Sequence, residues 1–348
     1  MDFRKLGQTD LSVSAICLGT MTFGQQTGEA DAFAQMDYAV AQGVNFFDTA
    51  ELYAIPPRAE TYGATETIIG AWLKKRGKRD DLIIASKVAG RSTNSWLREG
   101  GAMARLDRKN IFYAVENSLK RLGIDCIDLY QLHWPDRPMD LFDSLSNEYH
   151  DRGGPDGVSF EETLGALADL VRQGKIRHFG LSNETAWGVA QFLRAAEAGP
   201  GPRPVSIQNA YHLINRQFEL GLAEFALREK TGLLAYSPLA QGYLTGKYLN
   251  GARPANGRST LFDRGQRYQK PGVDAAIEDY HALAREFGLD PIHLALAFVT
   301  SRSFVTANII GATTLDQLKI ILAAPKTLDP ELEKRIDEIH QIRGNPAP

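Results

Sequence analysis

Short runs of adjacent apolar residues alternate with longer amphipathic segments along most of the chain. Adjacent apolar residues are typical of a strand that is buried on both faces, as in a parallel sheet, whereas apolar residues at every third or fourth position indicate a helix. The apolar runs predict eight strands, near residues 15–19, 44–48, 82–87, 126–133, 176–181, 205–208, 232–237 and 304–310.

The amphipathic segments follow these strands in turn. They predict helices over 30–42, 65–76, 108–121, 160–173, 185–197, 217–229, 290–300 and 314–323. Asp107 and Ser159 precede two of these helices as candidate N-caps, because a short polar side chain can accept from the free amides of a first turn. Helices often end in a left-handed glycine. Five glycines are predicted to take that place: Gly43, Gly77, Gly123, Gly174 and Gly232.

The alternation of eight strands with eight helices predicts a (β/α)₈ barrel, the TIM barrel, as one domain over residues 1–348. The alternative is a doubly wound sheet, which would carry a glycine-rich dinucleotide fingerprint after its first strand. The segment from Gly19 to Gly24 lacks that spacing. Residues 3–13 predict a small hairpin before the barrel, and residues 329–342 predict a last helix that packs across it, followed by a loose tail over 344–348.

Three long irregular segments, 88–106, 134–158 and 238–273, each follow a predicted strand. We therefore expect all three at the carboxyl face of the barrel, where long loops shape a substrate pocket. Met21, Trp96 and Trp134 are candidate walls of that pocket.

Composition narrows the classes of function. The net charge of −3 and the 23% of charged residues give no general attraction to nucleic acid or to an anionic membrane. The chain shows neither a signal peptide nor an apolar run of membrane-spanning length, so we expect a cytoplasmic protein. Cys17 and Cys126 lie in apolar runs, which favours buried thiols over a bridged or reactive pair. No metal-ligand spacing is present, and no metal is expected.

Polar residues end three of the predicted strands, namely Asp48, Lys87 and His133, and Tyr53 follows Asp48 by five positions. The carboxyl ends of barrel strands share one rim, so these side chains should meet there. The ammonium of Lys87, held by Asp48, would lower the pKa of Tyr53 from about 10 and make the phenol a general acid toward a carbonyl oxygen. His133 would donate a second hydrogen bond and orient the substrate.

Each of these residues has a simpler explanation when it is taken alone. Tyr53 would be a packing aromatic, Lys87 a solvated strand end, His133 a core imidazole and Asp48 the cap of a turn. Their common rim favours catalysis. Because none of them can transfer a hydride, the pattern indicates an external reductant such as NAD(P)H and a small-molecule carbonyl substrate.

Other residues on the same rim suit a nicotinamide cofactor. Ser182, Asn183 and Gln208 offer hydrogen bonds to a carboxamide, and Tyr236 offers a flat face for stacking, with barrel packing as its alternative role.

A phosphate site is predicted where the glycine turn at Gly311 opens a helix, because a helix start presents free amides to an anion. Lys247 and Arg258, in the loop after the seventh predicted strand, would add cationic partners. The alternative for both is a solvated loop charge.

These motifs together resemble the aldo-keto reductases, in an order and spacing that extend over nearly the whole chain. The matching pieces are Gly19-Thr20-Met21, Phe47-Asp48-Thr49-Ala50-Glu51-Leu52-Tyr53, Ser86-Lys87, Leu129-Tyr130-Gln131-Leu132-His133, Gly174-Lys175-Ile176-Arg177-His178-Phe179-Gly180-Leu181-Ser182-Asn183, Gln208-Asn209-Ala210-Tyr211, Ala235-Tyr236-Ser237-Pro238-Leu239 and Ile310-Gly311-Ala312. A narrower resemblance, to a bacterial branch of the family, is carried by residues 18–24, 244–251 and 346–348.

The resemblance implies a barrel enzyme that reduces aldehydes or ketones with NADPH. It implies that Tyr53 donates the proton, that Asp48 and Lys87 support it, and that His133 and Trp134 contact the substrate. The implied cofactor contacts are Gly19, Thr20, Met21, Asp48, Ser182, Asn183, Gln208, Leu234, Ala235, Tyr236, Ser237, Pro238, Leu239, Ala240, Gln241, Gly242, Tyr243, Leu244, Lys247, Arg258, Gly311, Thr313 and Gln317.

The chain departs from the family pattern where many relatives carry Glu-Asn, since Ile320-Ile321 stands there. This change removes hydrogen bonds from the adenine side of the expected cofactor site. An alternative function is a nucleotide-sensing regulatory subunit, because the family also includes potassium-channel β-subunits that resemble this chain.

Overall fold

The computed structural model describes residues 1–154, 157–199, 201–264 and 266–348, with the backbone alone for Asp143 and Gln266. Within them, eight parallel strands close a barrel, which confirms the predicted (β/α)₈ fold. A two-stranded antiparallel hairpin precedes it, β1 (Phe3–Lys5) and β2 (Ser12–Ser14), also as predicted. The barrel strands are β3 (Ile16–Gly19), β4 (Phe46–Asp48), β5 (Ile83–Val88), β6 (Ile127–Leu132), β7 (Ile176–Ser182), β8 (Ser206–Ala210), β9 (Gly232–Tyr236) and β10 (Val305–Ile310). They neighbour one another in chain order, and β10 closes the barrel against β3.

The helices cover the outside of the barrel, and each of the eight predicted helices forms within one or two residues of its expected bounds. The helix predicted over 329–342 also forms, as α11. The bounds are α1 (Glu29–Ala41), α2 (Ala64–Arg76), α3 (Arg108–Leu122), α4 (Phe160–Arg172), α5 (Ala186–Ala198), α6 (Gln217–Arg228), α7 (Arg258–Phe262), α8 (Val273–Glu286), α9 (Pro291–Ser301), α10 (Leu315–Leu322) and α11 (Pro330–Arg343).

Both predicted N-caps are confirmed. A side-chain oxygen of Asp107 accepts from the amide of Asn110 at 2.8 Å, and Ser159 Oγ accepts from the amide of Glu162 at 3.2 Å. These bonds satisfy first-turn donors that the helix itself cannot pair.

The glycine predictions are correct at four helix ends and wrong at the fifth. Gly43, Gly77, Gly123 and Gly174 have positive φ values of 84°, 67°, 65° and 71°. Gly232 instead begins β9, and the left-handed position after α6 belongs to Lys230, with φ of 55°. A Cβ at Gly232 would lie 1.9 Å from Thr306 Oγ1 on the neighbouring strand, so glycine is needed there for close strand packing.

Helix α8 lies outside the predicted helices, because this barrel places two full-length helices, α8 and α9, between β9 and β10. The segment 238–273, predicted to be irregular, also contains the short helix α7 and a 3₁₀ turn over Ala240–Thr245. Pro155 and Asp156, within the predicted loop 134–158, lie outside the described residues.

The prediction of a loose tail is wrong. Ala347 is fully buried, and its amide donates to Ile214 O at 3.2 Å. Arg267 Nε donates to Pro348 O at 2.8 Å, and the Asn345 side chain accepts from the amide of Arg216. The composition of the tail suggests a flexible segment, but the small side chain of Ala347 is buried against the rest of the fold.

The two ends of the barrel differ in chemistry. Near the amino ends of the strands, Leu6, Leu11 and Val13 around the hairpin pack with apolar side chains of the barrel interior, including the fully buried Cys17. Cys126 is half-buried, and both cysteines are free. The polar residues of interest lie at the opposite, carboxyl ends. Among the described residues, no helix is long and apolar enough to cross a bilayer.

Candidate active site

Lys87, near the end of β5, contacts both Asp48, which ends β4, and Tyr53, in the loop that follows. Its Nζ donates to Asp48 Oδ2 at 2.6 Å, to Thr49 O at 2.8 Å and to Tyr53 OH at 3.3 Å. The three protons of an ammonium thus have three acceptors. Lys87 has no exposed surface and Asp48 is only 2% exposed, so the pair is shielded from water.

The amine of Lys87 is charged in this setting. Burial alone lowers the pKa of Lys87, but the negative charge of Asp48 and the contact with Tyr53 raise it by more, so the net shift is upward. A buried cation is stable only when it is paired and hydrogen-bonded, and Asp48 meets both conditions.

The phenol of Tyr53 is less acidic than the sequence predicted. Burial raises the pKa of Tyr53, and the charge of Lys87, which acts in the opposite direction, does not offset it. The expectation of a lowered pKa is therefore wrong for the net shift, because it counted the ammonium and left out desolvation. The phenol keeps its proton at neutral pH.

His133 follows β6 directly and lies beside Tyr53. The two rings meet edge to face, with 5.6 Å between centroids and 81° between planes. Burial and then the charge of Lys87 hold the pKa of His133 well below its usual range, so its imidazole is neutral. Its Nδ1 is buried and has no partner among the described residues.

Glu51 fixes the turn that leads from Asp48 to Tyr53. The Glu51 carboxylate accepts from both terminal nitrogens of Arg98 at 3.0 Å, from the amide of Ala89 at 2.8 Å and from Tyr62 OH at 2.8 Å. Glu51 is fully buried and Arg98 is 6% exposed. The sequence gives no local signal of this pair, because its members lie 47 positions apart and meet only in the fold.

Two glutamines complete the surroundings of Asp48. Its Oδ1 accepts from Gln131 Nε2 at 3.0 Å and from Gln208 Nε2 at 2.9 Å. Gln208 Nε2 also donates to Gln131 Oε1 at 2.9 Å. Gln131 was not singled out from the sequence; the available signal was a polar amide within the otherwise apolar end of β6, two positions before His133.

The residues predicted to suit a carboxamide form one connected group. Ser182 Oγ donates to Gln208 O at 2.9 Å, and Asn183 Nδ2 donates to His133 O at 2.8 Å and to Ser182 Oγ at 3.1 Å. Tyr236 OH donates to Asn183 Oδ1 at 2.7 Å. The structure thus brings Ser182, Asn183, Gln208 and Tyr236 to the same rim as His133.

The residues at the end of β3 contact Asp48 and the neighbouring strand β10. Thr20 is buried, and its amide and hydroxyl both donate to Asp48 O, at 3.1 Å and 2.8 Å. A Cβ at Gly19 would lie 2.8 Å from Ile309 Cγ2, so the close approach of β10 requires glycine. Met21 is half-buried, and its Sδ lies 3.8 Å from Arg258 Nη1.

Arg258 is a half-buried cation that forms no ion pair with the residues that the structure describes. Burial, with a further effect of Arg264, lowers the pKa of Arg258, although a guanidinium stays charged at any physiological pH. Its Nε has no hydrogen-bond partner, and no carboxylate in the part of the chain that the structure describes pairs with it. Lys247 is exposed, with Nζ 5.2 Å from the centroid of the Tyr248 ring.

The chain turns sharply after β9. Ser237, Ala240 and Gln241 have positive φ values of 57°, 49° and 55°. Within β9, Leu234 belongs to the apolar cluster that contains Leu6 and Leu11, and Ala235 belongs to the main hydrophobic core. The remaining predicted contacts of this segment form the turn itself: Pro238, Leu239, Gly242, Tyr243 and Leu244.

At the start of α10, Gln317 Oε1 accepts from both the amide and the hydroxyl of Thr313, each at 3.0 Å. Gly311 directly follows β10. On the same helix Ile320 is 46% exposed whereas Ile321 is buried.

Trp134 lies next to His133, with 4.9 Å between ring centroids, and its Nε1 donates to Arg91 O at 3.0 Å. That bond fixes the indole beside the imidazole.

A barrel with this cluster at its carboxyl rim has clear relatives. A model of the aldo/keto reductase family matches residues 15–341. Protein tas of Escherichia coli (strain K12) is 50% identical over 351 residues, covering 100% of both chains. The protein named Aldo-keto reductase of Babesia bovis is 40% identical over 274 residues, 74% of this chain and 95% of its own. Uncharacterized oxidoreductase YrpG of Bacillus subtilis (strain 168) is 34% identical over 354 residues, 100% of this chain and 98% of its own.

The chain belongs to the aldo/keto reductase family, which confirms the resemblance seen in its motifs. It is an NAD(P)H-dependent oxidoreductase of a family that acts on small carbonyl compounds.

Proposed function

We propose that this protein reduces aldehydes or ketones to alcohols with NADPH, and that Tyr53 donates the proton. The observation that carries the proposal is the buried contact of Lys87 with both Asp48 and Tyr53, beside a neutral His133. Such a cluster provides an acid and a hydrogen-bond donor for one carbonyl oxygen.

The raised pKa of Tyr53 suits this role. Before reaction the phenol is protonated and can donate to the carbonyl oxygen. When NADPH is bound, it supplies the hydride that the carbonyl carbon accepts. As negative charge develops on the oxygen, the proton moves to it from Tyr53 OH, and the ammonium 3.3 Å away stabilises the phenolate that remains. Asp48 keeps Lys87 charged and in place.

His133 would act as the second donor. Because its imidazole is neutral, one ring nitrogen carries a proton and the other does not. Nδ1 is enclosed, so we assign Nε2 as the nitrogen that donates to the substrate. Trp134, with Trp96 and Met21, would form apolar walls for an aromatic or short-chain carbonyl compound.

The residues present fit a dinucleotide phosphate. Arg258 is a half-buried guanidinium whose Nε has no partner among the described residues, and it suits a phosphate of the cofactor. We propose that Lys247, Thr313 and Gln317 add contacts around the 2′-phosphate and that Gln208 and Tyr236 hold the nicotinamide. The other proposed contacts are Gly19, Thr20, Met21, Ser182, Asn183, the turn 237–244 and Gly311.

The test is steady-state oxidation of NADPH with a panel of aromatic and short-chain aldehydes. We expect turnover well above background for some of them, with the alcohol as product. Background rates across the panel, together with tight NADPH binding, would contradict catalysis and favour the sensor alternative.

A further inference from the structure

Gln131 links the proton-donating side of the site to the nicotinamide side. It lies on β6, where it pairs with Lys87 of β5 on one side and with Gly180 of β7 on the other. Gly180 has no side chain to fill the space between β6 and β8, and a Cβ there would lie 3.5 Å from Gln131 Cγ and 2.4 Å from Ser206 Oγ. Gln131 and Gln208 therefore meet across β7.

Hydrogen-bond chemistry fixes the orientation of both amides. The Asp48 carboxylate only accepts, so Gln131 and Gln208 must each present their NH₂ group to it. Gln131 Oε1 then faces Gln208 and accepts the second proton of Gln208 Nε2, at 2.9 Å. All three side chains are at least 97% buried, so no water competes for these bonds.

This arrangement leaves one group of Gln208 free. Both of its N–H donors are used, one on Asp48 and one on Gln131. Its Oε1 is not among the enclosed atoms and receives no hydrogen bond from the described residues. Gln208 thus presents an acceptor, and only an acceptor, at the rim.

We propose that Gln131 is a positioning residue that holds Gln208 so that its Oε1 accepts from the carboxamide NH₂ of the nicotinamide. This inference rests on the proposed use of NAD(P)H. Without the Gln131 carbonyl, Gln208 has one unsatisfied donor and can rotate its amide, which would turn a donor toward the carboxamide NH₂. Because Gln131 also holds Asp48, one residue sets the relative positions of the hydride donor and the acid.

The first test is Gln131→Met, which keeps the length of the side chain and removes both of its hydrogen bonds. We expect the Kd of NADP⁺ to rise roughly tenfold, the equivalent of one hydrogen bond. Binding of 2′-phospho-ADP-ribose, which lacks nicotinamide, should stay unchanged. Both affinities are measured by calorimetry without substrate. Equal weakening of the two ligands, or no weakening of either, would overturn the proposal.

The matched control is Asn308→Leu. Asn308 is as deeply buried as Gln131, but its Nδ2 donates to Leu296 O and Thr300 Oγ1, away from Asp48. This variant should lose stability and keep the ratio of the two affinities. Asn308→Leu therefore shows the effect of losing any buried amide, whereas Gln131→Met shows the effect of losing the amide that contacts Asp48 and Gln208.

The second test is Gln131→Glu, which does not depend on tolerance of an apolar side chain. A protonated carboxyl reproduces the amide, because its O–H can donate to Asp48 and its carbonyl can accept from Gln208. An ionised one only accepts and repels Asp48. Burial and that repulsion raise the pKa of the introduced carboxyl above about 4.3, whereas the Lys87 ammonium on the adjacent strand, already paired with Asp48, acts in the opposite direction.

For Gln131→Glu we therefore expect the affinity for NADP⁺ to be near that of the wild type at acid pH and to fall as pH rises. The measured quantity is the ratio of the Kd of NADP⁺ to the Kd of 2′-phospho-ADP-ribose at each pH. A ratio independent of pH would overturn the proposal. If wild-type protein binds 2′-phospho-ADP-ribose and NADP⁺ equally well and reduces no aldehyde, the proposed function fails instead, and the two failures are distinguishable.

Discussion

Tyr53 has a raised pKa although an ammonium lies 3.3 Å from its oxygen. Burial disfavours the phenolate more than Lys87 favours it in the resting protein. The balance changes during reaction, when the carbonyl oxygen takes the proton and the phenolate gains the full attraction of Lys87. The sequence could supply the identity of the two residues but not this balance, because desolvation depends on how completely the folded chain encloses them.

Tyr53→Phe removes only the phenol oxygen and therefore tests whether Tyr53 is the general acid. We expect carbonyl reduction to fall by about 10²- to 10⁴-fold, the usual contribution of a general acid, while NADPH binding is nearly intact. The measurement is kcat/KM with the best aldehyde of the panel. Tyr130→Phe is the control, because it removes another buried phenol oxygen, one without a hydrogen-bond partner among the described residues. Undiminished turnover in Tyr53→Phe would refute the role.

Arg258→Ala tests whether the guanidinium of Arg258 binds the 2′-phosphate of NADPH. We expect the Kd of NADPH to rise by roughly ten- to a hundredfold and that of NADH by much less, because the two cofactors differ only at the 2′ position. Fluorescence titration measures both. Arg253→Ala, in the same loop but 59% exposed in its side chain, should change neither. Equal weakening of NADPH and NADH would mean that Arg258 contacts a group common to both.

At the scale of elements, the strands and helices were predictable because their signals are local. Apolar runs and apolar periodicity located all eight barrel strands and eight of the helices around them. Helix α8 was not predicted, because it is a second full-length helix between β9 and β10, in addition to α9. The tail was misjudged because its burial depends on a pocket near Ile214, more than 100 positions earlier in the chain.

In the candidate site too, residues with a local signal in the sequence were predictable and long-range contacts were not. Asp48, Lys87 and His133 could be found because a strand end is a local position that the barrel topology converts into a common rim. The links among them could not be found, since Gln131 meets Asp48 across 83 positions and Arg98 meets Glu51 across 47. No periodicity encodes such contacts.

The pair of Arg98 and Glu51 joins two elements, the loop 88–106 and the turn that carries Tyr53. Arg98→Met should lower the free energy of unfolding by about 3–5 kcal/mol, because the fully buried Glu51 loses its counter-charge. Urea denaturation measures the change. Arg76→Met removes a pair with the 37% exposed Asp81 and should cost less than about 1 kcal/mol. Similar losses in both variants would contradict the anchoring role of Arg98.

At the scale of the whole molecule, two enclosed histidines couple stability to pH. Burial is the main cause that holds the pKa of His133 and of His212 well below the usual range. The described residues offer neither ring nitrogen of His212 a hydrogen-bond partner. In the unfolded chain both imidazoles would bind a proton near their ordinary pKa of about 6.5.

The unfolded state therefore binds more protons than the native state in mildly acid solution. The stability that these groups contribute is complete above about pH 6.5 and is lost as pH falls from there toward the folded-state pKa. At about pH 5.5 the proton that the unfolded chain binds limits the loss from each histidine to at most about 1.4 kcal/mol. Urea denaturation at about pH 7.5 and about pH 5.5 should show a decrease that is smaller by up to that amount in His212→Phe. An equal decrease in wild type and variant would contradict this origin.

The most direct measurement of the central claim follows the hydride itself. NADPH carrying deuterium at the reactive carbon of the nicotinamide is mixed with the protein and an aldehyde of the panel, and the alcohol is analysed by mass spectrometry. We expect one deuterium bound to the former carbonyl carbon, at a rate that Tyr53→Phe lowers and Tyr130→Phe does not. Tight binding of the labelled cofactor without transfer to any aldehyde would contradict it.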